Sequence, residues 1–198
     1  HPMRPHRVRL THHLIVNYGL YKHVQVFRPK IASKADLQAF HSDEYTRFLQ
    51  AVSPDTMQEY LGQLERSHLG EDCPVFDGLF EYCQTYTGGS ISGAARINQG
   101  CSDIVLNWSG GMHHAKKGEA SGFCYVNDIV LAILELRISL EVESAGLAAL
   151  RRSDEQLAAM RAALDAPNES APPARAPVAS AFAFPLEIAL STGNRYST

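Results

Sequence analysis

The sequence lacks the features that mark several broad classes of protein. It has no excess of basic charge: 18 Lys and Arg stand against 21 Asp and Glu, a net charge of -3. An interface built on phosphate neutralisation needs the opposite balance, so direct nucleic-acid binding is not expected. No uninterrupted apolar run of about eighteen residues occurs, which argues against a membrane-spanning helix. The first ten residues are basic and histidine-rich, without the apolar centre of a signal peptide. The chain opens on His1, not Met, and is expected to be a piece of something longer. Cysteine is scarce, and the spacings of Cys73, Cys83, Cys101 and Cys124 fit neither a zinc ribbon nor a CxxC pair. Reduced thiols of a nuclear or cytosolic protein are expected, not a disulfide framework. No histidine follows His114.

What remains is enough for one globular domain with a core: 198 residues, 45% hydrophobic. Its centre is the stretch 103–128. Ile104, Val105 and Leu106 read as a short strand covered on both faces. Gly110 and Gly111 break it, so His113 and His114 fall just past its C-terminal end. Open α/β sheets place their ligands and chemistry there. Imidazole exchanges protons near neutral pH, and two of them can divide the roles of base and electrostatic stabiliser. Gly122 and Phe123 offer a flat aromatic wall beside a residue with no side chain, suited to a narrow apolar channel.

The flanking chain reads as mostly helical. Residues 1–10 are expected to be irregular, with a helix from Thr11 through Tyr21 and a short strand over Val24 and Val26 ending at Pro29. Helices are expected at 35–40, after the Ser42 cap, over 56–68 and over 76–99, the last carrying Gly88, Gly89 and Gly93, where a kink or a close contact is expected. Residues 125–136 leave almost no polar face, so that helix is expected to be buried on every side. From Arg137 the composition shifts. Alanine makes up 15 of the 62 residues from 137 to 198, and five of the ten prolines fall between 167 and 185. One helix is expected at 151–164 and the rest of this tail is expected to be disordered.

Residues 1–136 resemble the zinc-dependent histone deacetylases of class I. The resemblance rests on His-Pro-Met-Arg-Pro-His-Arg (1–7), Asn-Tyr-Gly-Leu-Tyr (17–21), Gly-Glu-Asp-Cys-Pro-Val-Phe-Asp-Gly (70–78), Gly-Gly-Met-His-His-Ala-Lys-Lys (110–117) and Glu-Ala-Ser-Gly-Phe-Cys-Tyr-Val-Asn-Asp-Ile-Val-Leu-Ala-Ile-Leu-Glu-Leu (119–136). It implies part of the α/β, three-layer arginase/deacetylase fold with a parallel sheet, followed by a non-family Ala/Pro-rich tail. It implies a nuclear hydrolase of acetyl-lysine amides on histone tails, acting in transcriptional repression through water activated by Zn²⁺. The resemblance makes His113 the partner of the metal-bound water and His114 the general base and acid. Asp72 would accept hydrogen bonds from the substrate backbone, and Gly122 and Phe123 would wall the lysine tunnel. Met3, Arg7, Met112 and Cys124 would line an internal pocket. Arg4 matches a basic position of the family's inositol-phosphate and co-repressor surface. Plain alternatives stand beside these roles: Asp72 as a cap, Arg7 as a surface charge, Phe123 and Cys124 as core, Lys116 and Lys117 as a solvated pair.

The resemblance stops at Leu136. The family continues with an Asp-x-Asp-x-His-His-Gly-Asp-Gly stretch that supplies two zinc ligands, and later with a third ligand and a tyrosine. None of these occurs here, so no metal ligand is assigned. Two readings follow: a deacetylase by descent whose chain is inactive alone, or a non-catalytic segment that binds co-repressor subunits.

Overall fold

The computed structural model describes residues 3–165 and 178–192. Its elements follow from local capping where capping residues are present. Ser33 accepts from the Asp36 N–H while Asp36 reaches back to the Ser33 N–H, a reciprocal box that starts α2 (Lys34–Gln38). Ser42 accepts from the Tyr45 N–H and starts α3 (Asp43–Ala51), with Asp43 and Glu44 in the first turn where the helix dipole favours them. Helix α5 (Leu79–Asn98) starts three residues later than the sequence suggests, because Gly78 takes a left-handed φ of 75°. Helices α2, α3 and α5 pack on one another. Leu37, Tyr45, Phe48, Leu49, Leu79, Cys83, Tyr86, Val126 and Leu131 form the buried centre of this assembly.

Other boundaries move for identifiable reasons. The first helix, α1, spans His6–Asn17 and does not wait for Thr11. Pro5 suits the start of a helix, since its missing N–H would be unpaired there anyway, and the Thr11 hydroxyl bonds back to Arg7 O at 3.0 Å. The helix expected over 56–68 divides into a 3-10 turn, Met57–Tyr60, and α4 (Leu61–Arg66). The break lies at Tyr60, with φ -114° and ψ 19°, whose ring packs on Phe48 at 5.8 Å between centroids. Helix α6 (Asp128–Arg151) begins where Asn127 Oδ1 accepts from the Val130 N–H, and it runs well past Leu136. It is not buried on every side: Leu131 is enclosed, but Ile133 is 55% exposed.

The expected parallel sheet is absent among the described residues, which contain only an isolated antiparallel bridge between Ser121 and Cys124. Val24 to Pro29 and Ile104 to Leu106 are irregular rather than strands. A strand is defined by a hydrogen-bonded neighbour, and among the described residues neither stretch is paired with one. No helix among the described residues is long and apolar enough to cross a membrane.

The chain divides into two compact units, His1–Leu136 and Arg137–Thr198. In the second, α7 spans Asp154–Asp165, and not 151–164, because Ser153 and Gln156 form the cap. A further helix, α8 (Val178–Ser191), occupies part of the stretch expected to be disordered. Its Ala and Leu content favours helix despite Pro185, and it packs on α7. Residues 166–177 and 193–198 of that stretch lie outside the described residues.

Candidate functional site

The site is a loop whose two halves are bolted to the core by side chains that bond to its backbone. Gly111 takes a φ of +90°, a conformation open to glycine, and it turns the chain from the Ile104–Trp108 segment into the histidine pair. The carboxylate of Asp128, fully buried, holds this turn. Oδ2 accepts from the Gly111 N–H at 3.1 Å and Oδ1 from the Met112 N–H at 2.7 Å. The Ser90 hydroxyl of α5 donates to the same carboxylate. Asn127 holds the next stretch, its Nδ2 donating to His113 O at 3.0 Å and Ala115 O at 2.9 Å. Two adjacent residues at the start of α6 thus fix four backbone groups between 111 and 115.

His41 closes the loop at its far end. A carbonyl only accepts, so Nδ1–H donates to Lys117 O at 3.2 Å, while Nε2 accepts from the Asn127 N–H at 3.0 Å. Both contacts demand the neutral Nδ1–H tautomer. Burial pushes the His41 pKa down to about 4, against a smaller opposing effect of the bond to Lys117. The Ser42 N–H shares the same carbonyl at 3.0 Å.

Three buried tyrosines fix the segment that follows the loop. Tyr45 donates to Tyr125 O at 2.9 Å and Tyr86 to Val126 O at 2.8 Å. Tyr125 donates to Pro74 O at 2.6 Å. Burial raises the pKa values of all three phenols, so they remain donors through the ordinary pH range.

On this frame the histidine rings lie 4.1 Å apart, inclined by 37°, and both residues are exposed. His113 Nδ1 is 3.0 Å from Gly111 O. That bond puts the proton on Nδ1 of the neutral ring and leaves Nε2 as its lone-pair nitrogen. His114 stands over Gly122: a Cβ there would lie 2.7 Å from His114 Cγ. Ser121 and Cys124 exchange backbone bonds of 3.0 and 2.8 Å around Gly122 (φ 50°) and Phe123 (φ 69°). This is a two-residue hairpin turn with both central residues left-handed. A left-handed φ is strained for a bulky residue such as phenylalanine, and here it sets Phe123 at the tip of the turn.

The other expected site residues distribute as follows. Cys124 is buried under the pair, its thiol pKa raised by burial against backbone hydrogen bonds with His114 and Ala115. Met112 is buried, and Met3 packs against the same core. Asp72 is exposed, in a turn that closes between Gly70 and Cys73. The neighbouring Cys73 thiol, its pKa raised by burial, hydrogen-bonds the Phe123 backbone. The Asp72 turn and the Gly122–Phe123 turn are therefore adjacent. Arg7 sits on α1, a helix with no buried residue, and is exposed, not enclosed. Lys116 pairs with Glu119, which also faces His68 at 3.2 Å.

His41, Ser90, Asn127 and Asp128 carry the loop, and the sequence does not single them out as site residues. The one available signal was Asn127-Asp128 ahead of an apolar run, a helix-start pattern. Zinc requires three protein ligands on one site. Among the described residues no three His, Cys, Asp or Glu side chains converge, so the donor set does not fit the ion.

Two family models match the chain. One, described as a histone deacetylase domain, matches residues 1–145, and one described as an FCD domain matches 132–198. Probable histone deacetylase 1-A of Xenopus laevis is 61% identical over 136 residues, 69% of this chain and 28% of that protein. Histone deacetylase 1 of Homo sapiens is 59% identical over the same length, and histone deacetylase 19 of Arabidopsis thaliana 60%. The chain spans 28% and 27% of the length of these two relatives respectively. The chain belongs to the histone deacetylase family, as a segment of the class I type.

Proposed function

We propose that this chain carries the proton-handling half of an acetyl-lysine hydrolase site and does not turn over substrate by itself. The observation that carries this reading is the close His113–His114 pair beside the Gly122–Phe123 turn. In amide hydrolysis water adds to the acetyl carbon, the C–N bond breaks, and the lysine nitrogen takes a proton as it leaves. His114 is suited to take the proton from water and return it to that nitrogen. His113, with Nδ1 tied to Gly111 O, offers Nε2 to the same water. Phe123 and Gly122 would flank the lysine methylenes, and Asp72 on the adjacent turn would accept from the substrate backbone. Met3, Met112 and Cys124 would line the space beneath; Arg7, exposed on α1, does not support that role.

The substrates on this reading are acetylated histone tails in the nucleus, within a co-repressor complex that Arg4 would help to join through an inositol phosphate. Zinc is the family's cofactor and would polarise the acetyl carbonyl, but among the described residues no set of ligands for it converges. A second reading, a non-catalytic segment that binds partner proteins, draws support from the exposed apolar side chains of the first unit. The test is an assay of the purified chain on an acetyl-lysine peptide with added zinc. No turnover is expected. Turnover that disappears in His114→Ala overturns the first reading. Retention of co-repressor subunits on the immobilised chain supports the second, and failure to retain them removes it.

A further inference from the structure

Two of the loop's hydrogen bonds belong to one peptide group. The Met112 N–H donates to Asp128 Oδ1 at 2.7 Å, and His113 Nδ1–H donates to Gly111 O at 3.0 Å. Met112 N and Gly111 O are the two ends of the Gly111–Met112 peptide, which is trans. In a trans peptide the N–H and the C=O point in opposite directions. A carboxylate that draws the N–H inward therefore turns the C=O outward, toward the imidazole. The same oxygen also accepts from the His113 backbone N–H at 3.0 Å.

This peptide needs such a hold. Gly111 sits at φ +90°, with nothing within 4 Å of where its Cβ would be, so local sterics do not fix the plane that follows it. The carboxylate is itself fixed from behind. Ser90 donates to it, and Ser90 Oγ accepts from Asn107 Nδ2 at 2.9 Å, which leaves the hydroxyl hydrogen for Asp128. Asn107 comes this close to α5 because Gly89 has no side chain: a Cβ there would lie 2.7 Å from Asn107 Nδ2. A Cβ on Gly110 would likewise lie 2.5 Å from Asp128 Oδ2. Asp128 is fully buried, and among the described residues no Lys, Arg or His forms an ion pair with it. Its donors are all neutral. A hydrogen bond to an ionised acceptor is roughly twice as strong as a neutral one, and bonds in a chain polarise one another. Gly111 O, at the far end of the peptide, becomes the better acceptor.

We propose that Asp128 is a positioning residue for His113, acting through the Gly111–Met112 peptide to keep the neutral ring in its Nδ1–H form. This rests on the reading of the histidine pair as the proton-handling half of a hydrolase site. There His113 serves while Nε2 holds a lone pair toward water; the Nε2–H form presents a donor instead. An exposed ring bonded to water alone is free to take either form. The chain from Asn107 through Ser90, Asp128 and the peptide removes that freedom.

Long-range ¹H–¹⁵N NMR of the full chain, labelled with ¹⁵N-histidine and held at about pH 8 where imidazole is neutral, reports which ring nitrogen is protonated. His113→Gln identifies the resonance. The Nδ1–H form is expected for His113 in the wild type. Asp128→Asn keeps the shape of the side chain but accepts from only one of the two amides. It is expected to lower the ratio of Nδ1–H to Nε2–H at His113 by about fivefold or more, the worth of one ordinary hydrogen bond. His41, held by Lys117 O and the Asn127 N–H, keeps its form in that variant; general loosening would move both rings. An Nε2–H ring at His113 in the wild type overturns the proposal. So does a folded Asp128→Asn whose ratio is unchanged, or one in which His41 shifts equally. If Asp128→Asn does not fold, the wild-type chain labelled with ¹³C and ¹⁵N decides. Scalar couplings across the hydrogen bonds, from His113 Nδ1 to the Gly111 carbonyl carbon and from Met112 N to Asp128 Cγ, are both expected, and the absence of either overturns the proposal. None of these readouts involves turnover, so they stand or fall apart from the acetyl-lysine peptide assay.

Discussion

The two sides of the Gly110–Gly111 turn make the useful comparison. Downstream, Met112, Ala115, Ala120 and every residue from Cys124 to Asp128 are buried. Upstream, Ile104, Leu106 and Trp108 are more than half exposed. Of the two, only the downstream stretch is among the motifs that carry the family resemblance. The two also differ in what completes them. The downstream loop is held by side chains that bond to its backbone, from His41, Asn127 and Asp128, all within this chain. The upstream segment is irregular and is anchored on one side only, where Asn107 bonds to Tyr86 O and Ser90 Oγ of α5. A loop can therefore be fixed by a few well-placed side chains, whereas an apolar run without a hydrogen-bonded neighbour does not become a strand.

Three measurements would break or sharpen that contrast. The largest effect is expected from Asp128→Ala, which leaves the Gly111 and Met112 N–H groups and the Ser90 hydroxyl without their acceptor. Stranding buried donors in this way costs about 3–5 kcal/mol. Chemical denaturation should show that loss, and hydrogen exchange should speed up at Gly111 and Met112 before it does in α3. An unchanged midpoint would mean that the turn is held by packing alone.

The second effect is a dependence on pH. His41 has its folded pKa lowered from 6.5 to about 4. Between those values the unfolded chain binds the extra proton and the folded chain does not, so stability rises with pH across that window. The contribution is fully present above pH 6.5 and is lost as pH falls toward 4, amounting to about 3 kcal/mol over the whole range. Melting temperature recorded from pH 7 to pH 4 should fall accordingly. His41→Gln, which keeps a polar side chain but does not titrate, should flatten this slope; an unaltered slope would assign the acid sensitivity to other groups.

The smallest effect belongs to the upstream side. Leu106→Ser removes an exposed apolar side chain and should change the stability of the monomer by no more than about 0.5 kcal/mol. A large loss on denaturation at low protein concentration would show that Leu106 is already covered within one copy. The contrast between the two sides would then disappear.

The helices of the first unit were legible where a cap residue announced them. Ser33 with Asp36 and Ser42 with Tyr45 are contacts over three residues, and such local patterns are written in the sequence. The boundary at Gly78 and the early start behind Pro5 were equally local, but they depended on a backbone angle that composition does not display. The histidine pair, the Gly122–Phe123 turn and Cys124 were recognisable from the family motif. His41, Ser90 and Asp128 were not, because each bonds to groups 16 to 86 residues away along the chain. The expected strands failed for the opposite reason: an apolar run records a preference for burial, not the presence of a neighbour.

The sequence alone determined the family, the helical propensity of most segments and the identity of the imidazole pair, since these depend on residue type and short spacing. Only the tertiary structure decided which nitrogen of His41 carries its proton, how Asn127 and Asp128 grip the loop, and which face of residues 103–108 is left open. Those are relations between segments distant along the chain, fixed by hydrogen-bond geometry and by close approach to the glycines of α5.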